Sequence, residues 1–191
     1  AFSDAREFMC SDDLTEFIER HHLGRAAGTQ GGMNNGHCNP RVVFGTATAK
    51  DHIYHTPRAW YMYRQLNPVE AADSTPESDD IPWCLEPEHA VTVEDVDFLL
   101  GSHFEGTPYD PYGTQGTEES RHRYRPIGIN RTGHMVAMQI RPYAPAESRS
   151  IMWVSYGSGA FTTSAPFYAN VDDTPAYLRD TTPEVSTDCL Y

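Results

Sequence analysis

The period of the hydrophobic pattern changes once along this chain, and this change limits the possible folds more than any other feature. Up to residue 103, apolar side chains recur every three to four residues, which is typical of amphipathic helices. After residue 123, apolar and polar residues alternate, which is typical of strands with one buried face. Helices followed by strands favour the α+β class, with an antiparallel sheet packed against helices.

The local signals predict where these elements lie. One helix follows Ser11 and ends before Gly24, a second runs from Thr56 to Asn67, and a third begins at a capping box at Thr92 and extends to His103. Ile127 and Ile129 predict one strand, Val136, Met138 and Ile140 share a face of another, and residues 151–156 form the next. We expect antiparallel pairing between residues 134–141 and 151–156, with Trp153 on a buried face.

Composition excludes several classes of protein. With 39% apolar residues and a net charge of −13, the chain has enough material for a core and the wrong charge for nucleic acid or an anionic membrane. No apolar run approaches the ~20 residues that a membrane helix needs. The four cysteines are too sparse for a disulfide framework, so we expect free thiols in a reducing compartment, the cytoplasm.

Four segments resemble one known family in their order and spacing. They are HTPRAWYMYRQLNP (55–68), FEGTPYDPYG (104–113), YRPIGINRTGH (124–134) and APFYANVDDTPAYLR (165–179). Together they resemble the bacterial dipeptidase A family of N-terminal-nucleophile (Ntn) cysteine hydrolases, relatives of penicillin V acylase. The resemblance covers nearly all of the chain, so residues 1–191 are expected to be an internal part of a single catalytic domain.

The resemblance implies a four-layer αββα sandwich and a dipeptidase mechanism. In this family a cysteine at the mature N-terminus attacks the scissile carbonyl, and its own α-amino group is the base. Since the first residue here is Ala1, we expect the nucleophile and the asparagine of its oxyanion hole to precede this chain. The chain alone is then expected to be inactive, and the longer protein to cleave dipeptides without a cofactor.

Arg58 is the candidate catalytic residue within the chain. In the related acylases an arginine ahead of a helix lies beside the nucleophile, and Arg58 resembles its counterpart. A guanidinium there would favour the thiolate and could bind the carboxylate of a dipeptide. The alternative is a surface ion pair in the first turn of a helix, although that turn disfavours positive charge.

The segment from Glu105 to Asp110 is the candidate substrate-binding loop. Its glycine, proline, aromatic and polar residues predict a rigid, shaped loop, with Tyr109 and Asp110 as substrate-binding residues. A tightly turned connector is the alternative. The acidic, Pro- and Ser-rich residues 70–82 predict a surface excursion.

The sequence also contains possible metal ligands and is compatible with a simpler binding role. His52 and His55, with His37 and Cys38 upstream, offer only one pair of ligands, so we expect no metal. None of the four cysteines lies in a local nucleophile motif. The alternative to an enzyme fragment is a stand-alone module that binds a small ligand or a protein, and a homo-oligomer of the longer protein is compatible with either.

Overall fold

The computed structural model describes residues 9–23, 33–34, 37–38, 43–46, 48–78, 81–82, 84–157 and 159–176. The chain divides into two compact units, Ala1–His52 and Ile53–Tyr191. Within the described residues, no helix combines the length and the apolar character that crossing a membrane requires.

The structure describes the bounds of the following helices and strands. In chain order they are α1 (Leu14–Arg20), β1 (Met33–Asn34), β2 (His37–Cys38), α2 (Asp51–Tyr54), α3 (Thr56–Leu66), α4 (Val93–Gly101), α5 (Glu118–Arg121), β3 (His134–Ile140), β4 (Ser150–Tyr156) and β5 (Ala165–Tyr168). Single turns of 3-10 helix lie at Ala146–Ser148 and Gly159–Phe161.

The first unit contains α1 and a short antiparallel pair of strands, β1 and β2. Ile18 of α1 is buried with Val43, and Leu14 packs beside them. The helix begins three residues after Ser11, with Asp13 at the N-cap position, so the predicted helix is confirmed with a later start.

Helix α3 ends where its sequence predicts, but His55 rather than Thr56 occupies the N-cap position. Pro57 occupies the first turn, where a missing N–H leaves no helical hydrogen bond unmade. Asn67 ends the helix, and its Nδ2 donates a 2.6 Å hydrogen bond to the carbonyl oxygen of Glu86. The buried face of α3 carries Trp60 and Tyr61, which places two large aromatic side chains in the core of the second unit.

The capping box of α4 is confirmed, but the predicted extension of this helix to His103 is wrong. Thr92 accepts a hydrogen bond from the amide of Asp95, and the Asp95 carboxylate accepts one from the amide of Thr92. At the other end the helix stops at Gly101. A Cβ atom on Gly128 would lie 2.2 Å from the Gly101 carbonyl oxygen, so two backbones touch where the helix ends.

The same contact explains a second difference from the prediction. Residues 125–132 form no strand, although Ile127 and Ile129 alternate with polar or small residues. Pro126 has no N–H to donate to a neighbouring strand. The amide of Gly128 instead donates to the carbonyl oxygen of Ser102 at 2.7 Å, so this segment is held against the end of α4.

The sheet of the second unit is antiparallel, with the order β3-β4-β5. The predicted pairing is confirmed: His134 lies opposite Tyr156, and Ile140 lies opposite Ser150. Helix α4 packs against β3. Helices and an antiparallel sheet together make this part of the chain α+β.

The two faces of the sheet are both apolar but differ in exposure. One face buries Met135 and Ile151 and partly buries Trp153, whose Nε1 donates to Gln139 at 3.2 Å. On the opposite face Met138 is 84% exposed and Ile140 74%. Val136, Met138 and Ile140 therefore share one face of β3, as predicted. This face is exposed in the chain, and the opposite face is the buried one.

Candidate active site

The loop from Ser102 to Gly113 is built from consecutive hydrogen-bonded turns. The amide of Thr107 donates to the carbonyl of Phe104, that of Asp110 to Thr107, and that of Gly113 to Asp110, at 3.2, 3.4 and 3.1 Å. Phe104 is fully buried and has a φ of 74°, a left-handed conformation that is unfavourable for a bulky side chain. The loop is therefore rigid and strained at one buried residue.

A network of polar side chains lies beneath this loop. The Glu105 carboxylate accepts hydrogen bonds from the Ser102 hydroxyl at 2.5 Å and from the Tyr61 hydroxyl at 3.2 Å. Burial raises the pKa of Tyr61 to about 12, with the Ser102 hydroxyl opposing the rise and the charge of Glu105 adding to it. Tyr61 thus acts as a neutral donor that links α3 to the loop.

His103 lies between two carboxylates of the same network. Its Nε2 is 3.2 Å from Glu105 Oε1, and its Nδ1 is 2.7 Å from Asp110 Oδ1. An imidazole that carries both protons would donate to both oxygens. The edge of Tyr112 packs against the ring, with the centroids 5.0 Å apart.

Asp110 faces inward rather than towards solvent. It is buried, and its Oδ1 also accepts a hydrogen bond from the amide of Tyr112 at 2.9 Å. The Asp110 carboxylate therefore holds the turn, as the turned-connector interpretation predicts, while residues 106–109 form the wall of a cleft. The binding-loop interpretation stays a prediction.

That cleft has a volume of about 300 Å³ and lies between α3 and two loops. Its lining consists of an aromatic pair, one arginine and small or proline residues: Trp60, Arg64, Ser74, Thr75, Pro76, Gly106, Thr107, Pro108 and Tyr109. Trp60 and Tyr109 meet edge to face, with centroids 6.0 Å apart. The Arg64 guanidinium lies 5.6 Å above the ring of Trp60.

The excursion of residues 70–82 supplies the second wall of the cleft. The Trp60 indole N–H donates to the carbonyl oxygen of Ser74 at 2.9 Å, which fixes this loop against α3. The prediction of a surface excursion is only partly right, because Pro76 and Ile81 are buried. Of the two predicted substrate-binding residues, Tyr109 lines the cleft and Asp110 does not.

Arg58 lies outside this cleft, in the first turn of α3. Its Nε donates to the carbonyl oxygens of Pro126 at 3.1 Å and Arg125 at 3.3 Å. Burial lowers the pKa of the Arg58 guanidinium, and the charge of Arg125 lowers it further. No carboxylate of the described residues pairs with Arg58, so within the described part of the chain no surface ion pair holds it there.

The described cysteines and histidines offer neither a nucleophile with a base nor a set of metal ligands. Cys10 and Cys84 are free and exposed, and neither forms a hydrogen bond with another described residue. Cys189 and the side chains of His37 and Cys38 lie outside the described residues. Among the side chains that are described, no group of three or more His, Cys, Asp or Glu could hold a metal ion.

Sequence reasoning missed the polar network and the cleft. The spacing of His103 matches the apolar stripe of a helix, so the sequence did not indicate that its ring contacts Glu105 and Asp110. The signal that could have found it is the sequence His-x-Glu followed by Asp110 in a turn-rich segment, because short-range turns bring side chains together.

Comparison with known proteins decides the family. Residues 1–191, the whole chain, match peptidase family C69. The chain belongs to this family. It is 51% identical to a dipeptidase of Bifidobacterium longum and 43% identical to a probable dipeptidase A of Streptococcus pyogenes, with 100% of the chain aligned in both cases. The resemblance found in the four segments is confirmed.

The chain spans little more than a third of the length of these relatives. It covers 36% of the Bifidobacterium protein and 39% of the Streptococcus protein. It also covers 38% of the dipeptidase A of Lactobacillus helveticus, at 35% identity. The chain thus matches a piece of each relative.

Proposed function

We propose that the protein containing this chain hydrolyses the peptide bond of dipeptides. The observation that carries the proposal is the match of all 191 residues to a peptidase family, with relatives named dipeptidase at 35–51% identity. An aromatic cleft of about 300 Å³ with one guanidinium at its rim suits a small peptide better than a large partner. Family and cleft size together favour an enzyme over a stand-alone binding module.

The nucleophile is a cysteine at the mature N-terminus of the longer protein, outside residues 1–191. An α-amino group has a pKa of ~7.7–8.0 and a thiol one of ~8.5, so a proton can pass between them near neutral pH. Cys10 and Cys84 support this assignment, since both are exposed and neither forms a hydrogen bond with another described residue. Their free thiols also suit a reducing cytoplasm.

Arg58 is the catalytic residue that this chain contributes. Its Nε donates hydrogen bonds to two main-chain carbonyls. These bonds fix the plane of the guanidinium and leave its two terminal nitrogens for other groups. A fixed positive charge beside a thiol favours the thiolate. We assign this role to Arg58 because it resembles the arginine of the acylases. A charge that acts from a fixed position needs an anchored side chain, and Arg58 is half-buried and held by two carbonyls.

Tyr109 and Asp110 form the substrate wall with different tasks. Tyr109 lines the cleft beside Trp60 and contacts a side chain of the dipeptide. Asp110 does not contact the substrate. Its carboxylate contacts His103 and accepts a hydrogen bond from the amide of Tyr112, and these contacts hold the turn that positions Tyr109. Asp110 is in this sense a positioning residue for the substrate-binding loop.

The uncovered sheet face is where the rest of the domain packs. An apolar face that includes Met138 and Ile140 is unfavourable in water and is typical of a sheet that packs on another layer. A second sheet from the remaining length of the protein would complete the four-layer αββα sandwich.

Hydrolysis by the full-length protein tests the proposal. The purified protein is incubated with a panel of unmodified dipeptides, and released amino acids are measured; the isolated chain 1–191 is assayed beside it. We expect turnover by the full-length protein and none by the chain. Saturable binding of dipeptides by the full-length protein without release of amino acids would instead support the binding module.

A further inference from the structure

Two arginines converge at the start of α3. Arg58 donates to the main chain of residues 125 and 126, so its guanidinium lies against the backbone that carries the side chain of Arg125. The amide of Arg125 donates to the carbonyl oxygen of Ile53 at 3.0 Å, which ties this backbone to the residues just before α3. The Arg125 guanidinium lies 5.5 Å from the ring centroid of Tyr54.

No acid neutralises this pair within the part of the chain that the structure describes. Neither Arg58 nor Arg125 forms an ion pair with a described carboxylate, although the chain has 27 acidic residues. Both side chains are half-buried, where like charges repel more strongly than in water. The positive end of the α3 dipole adds to this field. An anion that contacts both guanidinium groups would relieve this repulsion.

We propose that Arg58 and Arg125 together bind the α-carboxylate of the dipeptide substrate. The proposal rests on the proposed dipeptidase function. Arginine suits this task because its planar fork matches the two oxygens of a carboxylate. Main-chain carbonyls hold Arg58 and the Tyr54 ring holds Arg125, so both forks are oriented before the substrate arrives.

The clamp explains a preference for dipeptides in physical terms. In a dipeptide the carboxylate carbon is only three covalent bonds from the scissile carbonyl carbon, on the order of 3–4 Å. A carboxylate site at a fixed short distance from the nucleophile therefore accepts a free C-terminus one residue beyond the cleaved bond. A longer peptide places an uncharged amide at the same point.

A pair of substrates that differ only at the C-terminus tests the clamp. The full-length protein is assayed with a dipeptide and with the same dipeptide as its C-terminal amide. Charged hydrogen bonds contribute ~1.5–3 kcal/mol each, so the wild-type protein should prefer the free acid by on the order of 10²-fold in kcat/KM. Arg125→Ala should reduce this preference to less than ~10-fold, mainly through a higher KM for the acid.

Two further variants make the result specific. Arg125→Lys keeps the charge without the fork and should restore only part of the preference. Arg20→Ala removes one positive charge from an exposed pair with Glu16 and should leave the preference unchanged. Urea unfolding of Arg125→Ala reports whether the fold is intact, and a wild-type unfolding curve is expected because the carbonyls that hold Arg58 belong to the main chain.

The outcomes separate the clamp from the proposed function. Equal turnover of acid and amide by the wild-type protein, or an equal loss of both in Arg125→Ala, overturns the clamp and leaves the dipeptidase function standing. An absence of turnover with either substrate overturns the dipeptidase function and the clamp with it.

Discussion

Arg58 is held in place by main-chain carbonyls, without an acid from the described residues. Two main-chain carbonyl oxygens accept hydrogen bonds from its Nε–H. Burial and the charge of Arg125 lower the pKa of its guanidinium. An arginine whose role is only structural would need the Nε contacts alone. A catalytic arginine would also form contacts through its terminal nitrogens. Its loss should therefore lower substrate turnover more than it lowers stability.

Arg58→Ala in the full-length protein should therefore lower kcat/KM far more than it lowers stability. Loss of a charged contact made in the transition state costs ~2–4 kcal/mol, or roughly 30- to 1,000-fold in rate. Loss of the carbonyl hydrogen bonds alone costs ~0.5–1.5 kcal/mol of unfolding free energy each. Both quantities are measured on the same preparation, by dipeptide kinetics and by urea unfolding.

Arg58→Lys is the matched variant. Near-complete recovery of kcat/KM would indicate that positive charge alone is needed, and poor recovery would indicate recognition of a planar carboxylate. Wild-type kcat/KM in Arg58→Ala would remove this residue from the active site.

At the scale of elements, the loop of residues 102–113 combines two requirements. Its buried side couples α3 to the loop through Tyr61 and Glu105, and its outer side lines the cleft with Gly106 and Tyr109. The left-handed Phe104 is unfavourable by itself, and the hydrogen bonds around it hold that conformation. This loop can therefore keep the shape of the cleft without a ligand.

The uncovered face of the sheet gives a prediction for Met138, which is 84% exposed in this chain. If the rest of the full-length protein packs on this face, Met138→Lys buries a charge there and should lower the free energy of unfolding by ~2 kcal/mol or more. Chemical unfolding of the full-length protein measures this change.

Tyr143→Lys is the control, because Tyr143 is 83% exposed and lies in the connection between β3 and β4. Surface substitutions usually change stability by less than ~0.5 kcal/mol. Equal, small effects of the two substitutions would show that this face stays in water and that the second sheet does not pack there.

The elements that local chemistry specifies were predictable from the sequence. Pro57 and Asn67 define α3, Thr92 and Asp95 define the start of α4, and alternation defines the β3–β4 pair. Each of these signals acts between residues close in sequence, so no knowledge of the tertiary structure was needed.

Features that depend on distant contacts were not predictable. The helix ends before His103 because Gly101 meets Gly128, and no local signal marks that contact. Which face of β3 is buried could not be read from alternation, since both Met135 and Met138 belong to apolar faces. The cleft was missed because one of its walls, around Ser74, reads as a polar surface segment.

At the scale of the whole molecule, we propose that this chain supplies part of an active site rather than all of it. It matches peptidase family C69 along its full length but spans 36–39% of the dipeptidase relatives described above. Its described residues contain a cleft, two half-buried arginines and a loop of hydrogen-bonded turns, and neither Cys10 nor Cys84 forms a hydrogen bond with another described residue. We therefore propose that this chain contributes binding and orientation and that the remainder contributes the bond-breaking thiol.

Dipeptide hydrolysis by a full-length protein that lacks all four of these cysteines tests this division most directly. Cys10, Cys38, Cys84 and Cys189 are replaced together by alanine, and kcat/KM is compared with that of the wild-type protein. We expect activity within roughly threefold of wild type, a change that corresponds to only ~0.7 kcal/mol in the transition state, because none of the four thiols is the proposed nucleophile. Loss of activity in a variant with a wild-type unfolding curve would instead place the nucleophile inside residues 1–191.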